Sequence, residues 1–276
     1  MSTSRNIYLK MKSLQEAKDL LFERFSPRPG PTGQTVSAIG AVGRVLAHPV
    51  YARLSSPGFH AAAMDGAAVR AEDTFGATEA SPKILETGTQ AVFVNTGQIL
   101  PDHADAVIMI EDIQIMDDQR IQIEAPVFPW QHVRRTGEDI VATELLFARH
   151  HQITPYCLGA LLAGGISEVS VLPKPHLFLL PTGPELIDPR QIPETLPAGR
   201  VIESNSHVLG KMAEALGARW TRHDILPDDP QRIEQTIAEA AASEGIDAVL
   251  IMGGSSAGSE DFARHVIAAL GTVFVH

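Results

Sequence analysis

The stretch DAVLIMGGSSAGSED, residues 247–261, decides how the C-terminal part of the chain is read. Its opening, from Ala248 to Met252, is a short uncharged apolar run, the pattern of a buried parallel strand covered on both faces. Gly253 and Gly254 then let the backbone turn tightly and let a ligand approach without meeting a Cβ. Ser255, Ser256 and Ser259 add hydroxyl donors, and a helix opening near Glu260 would aim its free N–H groups at the same place. Strand, glycine-rich turn and helix make a candidate anion cradle, a pattern that also serves as a plain tight connection.

Working outward toward the N-terminus, strands and helices alternate. Residues 176–180 predict a strand, residues 206–216 a helix closed by Gly217, and residues 219–226 a second strand. Asp229 then caps a helix that has Pro230 at its first position. This alternation predicts a doubly wound, mainly parallel α/β sheet. Ligands in such sheets sit beyond the carboxyl ends of the strands, which selects three turns: Pro181-Thr182-Gly183-Pro184-Glu185, Pro227-Asp228-Asp229, and residues 253–261. Each has a plain alternative, with Glu185 facing water and Asp228 or Asp229 acting only as a helix cap. Together they gather Glu185, Asp228, Asp229 and Asp261 beside an anion cradle. Across ~4 Å at an effective dielectric near 20, each like-charge pair costs about 4 kcal/mol, more than one helix terminus returns. A divalent cation reverses that sign, and Mg2+, a hard ion that prefers carboxylate and phosphate oxygens, is the expected one.

The rest of the chain has a different texture. Ser13-Leu-Gln-Glu16 has capping-box spacing, and Leu14, Ala17, Leu20 and Leu21 continue it as a short amphipathic helix to about Arg24. The proline-rich stretch from Ser26 to Pro31 is a connector. A second short helix is expected over residues 36–42, ended by Gly43, with an extended segment through Tyr51. Residues 55–140 read as short strands between polar loops, the clearest at 92–94, 106–110 and 121–123, with Asp117-Asp118 at a hairpin tip. Thr154-Pro155 opens a helix that ends at Gly164-Gly165. The expected architecture is an elongated one. A β-rich lobe, residues 55–139, is inserted in a helical and linker domain, residues 1–54 and 140–174, and an incomplete α/β domain follows over residues 175–276.

Composition narrows the function. The formal charge of −11, from 33 acidic and 22 basic side chains, argues against a nucleic-acid surface. Cys157 is the only cysteine, so no internal disulfide or cysteine-based metal site can form, and it reads as a core residue. No apolar run approaches the roughly 20 residues of a membrane span, and the N-terminus lacks the apolar core of a signal or anchor. A cytoplasmic protein is expected. There is no strand-linked G-x-G-x-x-G and no P-loop lysine, which argues against a generic nucleotide-binding domain.

Seven blocks occur in a telling order: Ala63-Met-Asp-Gly66, Asn95-Thr-Gly-X-X-Leu-Pro101, Ala104-Asp-Ala-Val107, Arg134-Arg-X-Gly-Glu-Asp139, Pro181-Thr-Gly-X-Glu-Leu186, Glu203-Ser-Asn-Ser206 and Gly253-Gly-Ser-Ser-X-Gly-X-X-Asp261. In order and spacing the chain resembles the molybdopterin molybdenumtransferase family, of the MoeA and gephyrin E-domain type. The resemblance implies a protein of molybdenum cofactor biosynthesis that takes adenylylated molybdopterin and molybdate and, with a divalent cation, releases AMP. It implies an elongated homodimer in which the β lobe of one subunit faces the α/β domain, the molybdopterin-binding domain, of the other. Carried over residue by residue, it puts Thr96, Asp139, Glu185, Asp228 and Asp261 in the site, with Glu185, Asp228 and Asp261 positioning cation and substrate. Thr182, Gly183, Gly253, Gly254, Ser255, Ser256 and Gly258 would hold the pterin or its phosphate. Thr96 and Asp139 would come across the dimer. Arg134 and Arg135 read as ordinary solvated charges, and Asp65 as either a site residue or a structural turn residue.

Two departures qualify the match. Where the family's loop before the first block usually reads Phe-Asp-Asn-Ser, this chain has Phe59-His60-Ala61-Ala62. A carboxylate's fixed negative charge is thereby replaced by an imidazole, a group mostly neutral at pH 7. The family also continues past the position of His276 into a lysine-bearing Pro-Gly-Lys-Pro stretch and a small β domain. The expectation is a fragment of a longer protein or a truncated member, the alternative function being a non-catalytic molybdopterin-binding module for storage, delivery or sensing.

Overall fold

The computed structural model describes residues 12–24, 33–253 and 263–274. The chain divides into two compact units, one of residues 33–171 and one of residues 172–276 together with residues 1–32.

The second unit carries the parallel sheet. Its elements are β1 (His176–Pro181), α1 (Asn205–Ala215), β2 (Arg219–Arg222), α2 (Pro230–Ala242), β3 (Ala248–Met252) and α3 (Ala263–Leu270). The strand order is β2-β1-β3, all parallel, with Leu177 paired to both Trp220 and Ala248. The first strand is central, so the chain steps to one side through α1 and crosses back to the other through α2. Right-handed crossovers in opposite directions put those helices on opposite faces of the sheet. Phe178 and Leu180, two residues apart, join Val249 and Ile251 in one core with Ile233 and Ile237 of α2 and Val266 of α3. This is the doubly wound arrangement expected from the alternation.

Two details differ from expectation. β3 is only half-buried along most of its length, because it is the edge of the described sheet rather than its centre. β2 ends at Arg222, and the chain returns to the sheet only at the isolated bridge of Leu226 with Thr182. Outside the sheet, the helix Leu14–Arg24 forms with the predicted capping box: Ser13 N–H donates to Glu16 Oε2 at 2.7 Å, and Glu16 N–H to Ser13 Oγ at 3.2 Å. None of its residues is buried, and Leu14 and Phe22 are each 73% exposed.

In the unit of residues 33–171, strand Gly66–Val69 lies between Ala91–Val94 and Ala106–Met109, both antiparallel. It is buried throughout because both faces are covered: Ala67 and Val69 point into a core with Leu85, Ile108 and Ile121, Ala68 into another with Val94, Val107 and Val133. Gln114–Asp117 and Arg120–Ile123 form the predicted hairpin. A further core joins Leu46, Ile153, Cys157 and Leu161. The helix expected over residues 36–42 is instead a strand, Gln34–Ser37, paired antiparallel with Glu168–Val171 and followed by a single 3-10 turn at Ile39–Ala41. Val36 pairs with Val169 and Ser37 Oγ takes the Gly40 N–H at 3.1 Å, so long-range pairing overrides the local helical spacing. Among the described residues, no helix is long and apolar enough to cross a membrane.

Candidate functional site

The carboxyl ends of the three parallel strands are tied to one another by the turn after β1. Thr182, only 2% exposed, donates its N–H to Met252 O at 2.8 Å and its hydroxyl to the same oxygen at 3.1 Å. On its other side Gly183 N–H donates to Leu226 O at 3.0 Å, and Leu226 N–H returns to Pro181 O at 3.0 Å. Thus Leu226, at the start of the turn after β2, and Met252, the last residue of β3, are both pinned to Thr182-Gly183.

Two glycines are required there. Gly253 has φ +123°, and a Cβ on it would fall on Thr182 Oγ1 and lie 2.6 Å from Thr182 O. Gly183 has φ +140°, and a Cβ would lie 2.5 Å from Glu185 Oε2. The Glu185 carboxylate is therefore folded back over the turn, exposed, with no hydrogen-bond or ion-pair partner among the described residues. In the turn after β2 the two aspartates separate in role. Asp229 is the cap of α2, its Oδ1 accepting from Gln231 N–H at 3.0 Å, while Asp228 sits half-buried one residue before it. Gly254, Ser255, Ser256, Gly258 and Asp261 lie outside the described residues. Among those described, no group of three or more His, Cys, Asp or Glu side chains is placed to hold a metal. The carboxylates at Glu185 and at Asp228, on successive turns of the sheet unit, are the hard oxygen donors that suit Mg2+.

Behind this edge lies a charged cluster that sequence reading did not assemble. Glu203 is 2% exposed. Its Oε2 accepts from Arg222 Nη2 at 3.2 Å and from the Ser206 hydroxyl, while Oε1 takes the Ser206 N–H at 2.8 Å. Arg222 also reaches Asp188 Oδ2 at 3.0 Å. Burial pushes the Glu203 carboxyl up, but the bonds from Ser206 and Arg222 bring it below its ordinary value. Asp188 is held well below the carboxylate range, chiefly by the Arg190 side chain and then its N–H, with Arg222 adding to them. A cavity of about 620 Å3 opens beside the cluster, lined by Ile187, Asp188, Arg190, Arg200 and Asp224 among others. Glu203 and Ser206 bound one of the seven sequence blocks. Arg222, a charge at a strand end, carries no signal that separates it from a surface residue.

The β unit holds a second constellation around the short strand Ala61–Ala62. Val133–Arg134 pairs along one side of it and Ile99 bridges from the other. The loop of residues 95–100 is fastened by Gly97 N–H to Ala62 O at 2.8 Å and Ala62 N–H to Gln98 O at 2.9 Å. Within it Thr96 gives both its N–H and its hydroxyl to Asp65 Oδ1. Asp65 thus holds the Thr96 loop, the structural one of its two readings. In the 134–139 turn, Arg134 Nη2 donates to both Asp139 oxygens at 2.9 and 2.7 Å, and Arg134 Nε lies 3.2 Å from Glu138 Oε1. Arg134 is the solvated surface charge expected from sequence, and it is also ion-paired with Asp139. With these side chains about half exposed, the pair shapes the turn more than it stabilises the fold, at about 0–1 kcal/mol.

Thr96 and Asp139 belong to the unit of residues 33–171, and Thr182, Gly183, Glu185, Asp228 and Gly253 to the unit of residues 172–276.

With this geometry in view, the similarity to known proteins is specific. Residues 12–165 match the family described as the MoeA N-terminal region (domain I and II), and residues 179–275 match the probable molybdopterin binding domain. A Methanocaldococcus jannaschii protein named for molybdopterin biosynthesis is 34% identical over 277 residues, covering 95% of this chain and 69% of that protein. The molybdopterin molybdenumtransferase of Haemophilus influenzae is 29% identical over 273 residues, covering 95% of this chain and 66% of the relative. The crystal structure of a molybdopterin biosynthesis MoeA protein from Pyrococcus horikosii superposes with a TM-score of 0.79 at 31% identity, over 97% of this chain and 68% of that one. The chain thus spans about two thirds of the length of the relatives it matches. By sequence along nearly its whole length, and by fold, it belongs to the MoeA family of molybdopterin biosynthesis proteins.

Proposed function

We propose that this chain acts in molybdenum cofactor biosynthesis as a molybdopterin molybdenumtransferase, inserting molybdate into adenylylated molybdopterin with release of AMP in the presence of Mg2+. The observation that carries the reading is the tying of Leu226 and of the end of β3 at Met252 to Thr182-Gly183, with the Glu185 carboxylate left without a partner among the described residues. An exposed carboxylate folded over a glycine turn is a ligand in search of a cation, because the same arrangement beside a substrate phosphate is repulsive without one.

Glu185, Asp228 and Asp261 are proposed to hold the cation, which when bound neutralises phosphate charge. Gly253, with the following Gly254, Ser255, Ser256 and Gly258, is proposed to cradle the pterin or its phosphate, with Thr182 and Gly183 fixing where that cradle begins. Thr96 and Asp139 are proposed to complete the site from a partner subunit. A homodimer is supported by the apolar stripe of helix Leu14–Arg24, where Leu14, Leu21 and Phe22 are all exposed. A cytoplasmic setting belongs to the same proposal.

The test is AMP release from adenylylated molybdopterin with Mg2+ and molybdate, followed chromatographically for the chain and for Glu185→Gln. Release that needs Mg2+ and falls with the substitution is expected; no release, even from a form extended past His276, rejects the transferase reading. A second reading, a non-catalytic molybdopterin-binding module, is favoured by one observation: His60 Nδ1 accepts a backbone N–H from Thr136 and so acts as a neutral acceptor rather than a fixed negative charge. Pterin binding by calorimetry without AMP release would select it.

A further inference from the structure

We infer that His60 is a positioning residue whose ring, as a hydrogen-bond acceptor, holds the 134–139 turn in register with the 95–100 loop. Its backbone oxygen accepts Leu100 N–H at 2.9 Å, and its side-chain Nδ1 accepts Thr136 N–H at 3.1 Å. One residue thereby joins the loop that carries Thr96 to the turn that carries Asp139. Its ring lies against Trp130, with centroids 4.8 Å apart and planes tilted by 47°.

Trp130 is itself unusually placed. It sits at φ +69° and His132 at φ +54°, left-handed values that cost non-glycine residues strain and persist only where surrounding bonds enforce them. Those bonds are present: Trp130 N–H donates to Asp105 O at 2.6 Å, and His132 Nδ1 lies 3.0 Å from Val107 O. The ring that supports His60 is therefore built into the fold.

A backbone N–H can only donate, so His60 Nδ1 carries no proton and the neutral ring is protonated at Nε2. Adding a second proton turns both nitrogens into donors and removes the acceptor for Thr136. The charged and titratable groups on the elements packed against His60 are Arg134, Arg135, Glu138 and Asp139 of the turn and His132 beside Trp130. Arg134 is paired with Asp139 and Glu138, and Glu138 Oε2 also takes the Arg135 backbone N–H, so by count the turn's two cations and two carboxylates sum to zero. The Trp130 face attracts an imidazolium, so the charged ring stays in place while the Thr136 bond opens. The bond to Thr136 therefore depends on the ring serving as an acceptor.

The bearing of this device on turnover rests on the transferase reading; the geometry does not. Amide hydrogen exchange of the full chain, corrected for intrinsic rates, tests it in the native protein, His60→Asn and His60→Phe. Asparagine keeps an acceptor oxygen and does not titrate, whereas phenylalanine keeps a ring on Trp130 but has no acceptor. Protection of the Thr136 amide is expected to be about fivefold lower in His60→Phe than in the native chain and to be kept in His60→Asn. Equal protection in His60→Phe and the native chain, or a loss in His60→Asn as large as in His60→Phe, overturns the inference. AMP release from the same three proteins separates the two ideas, because the expected exchange pattern without any release upholds the positioning role and rejects the transferase.

Discussion

Asp65 Oδ1 accepts two hydrogen bonds from a single residue, the N–H of Thr96 at 2.7 Å and the Thr96 hydroxyl at 2.9 Å. The two bonds orient the Thr96 side chain and hold the Asp65 carboxyl below its ordinary value, the backbone N–H contributing most. Asp65 thus acts through Thr96.

Asp65→Ala should release the Thr96 loop and lower AMP formation on the order of tenfold to a hundredfold, the range for a misplaced positioning group. Asp65→Asn, which keeps an oxygen acceptor, should lose less. If Asp65→Ala turns over like the native chain, the loop needs no such anchor. A lowered carboxyl value contributes stability above its unfolded value that disappears as pH falls through the folded one, so the anchor should weaken only in acid, below about pH 4.

Removing Arg222 leaves Glu203 charged and enclosed. Arg222→Ala should destabilise the parallel-sheet unit by about 3 kcal/mol, the scale for stranding one partner of a buried pair. The chain's two tryptophans, Trp130 and Trp220, fall one in each unit. In a Trp130→Phe background, Trp220 fluorescence during urea unfolding reports on the sheet unit alone, and an unchanged midpoint would contradict a structural role for the cluster.

Asp188 and Glu203 both sit below their ordinary values in the folded chain. Their contribution is present above the unfolded carboxyl value of roughly 4 and is lost as pH falls through the still lower folded values. The Trp220-reported urea midpoint should therefore be level from about pH 7 to pH 5 and drop below about pH 4. In Arg222→Ala, which lacks the cation that helps depress both groups, the acid-dependent part of the drop should shrink.

Gly253→Ala places a methyl group on Thr182 at a backbone angle that suits only glycine. The variant should fold with a stability loss of about 1–3 kcal/mol and lose pterin binding, because the cradle begins at that residue. Native-like pterin affinity by calorimetry would place the ligand elsewhere.

Glu185→Gln should behave in the opposite way. The carboxylate is exposed and without a partner among the described residues, so its urea midpoint should match the native chain within about 0.5 kcal/mol. The Mg2+ concentration needed for half-maximal AMP release should rise at least about tenfold. An unchanged Mg2+ requirement would remove Glu185 from the cation site.

Sequence alone determined the parallel-sheet unit. The alternation of apolar runs with capped helices, Thr182-Gly183 after one strand, Asp229-Pro230 opening a helix and Gly253 ending another strand are local signals. They hold because capping, glycine turns and strand periodicity are decided within a few residues. The family was legible for the same reason, seven blocks recurring in order. Tertiary structure decided the rest. It turned residues 34–37 into a strand through pairing with residues 168–171, left β3 at an edge, and buried Arg222 between Asp188 and Glu203. It also made His60 an acceptor for Thr136, 76 residues away in the chain. Burial and hydrogen-bond partnership between distant residues depend on which elements cross, and no local spacing encodes that.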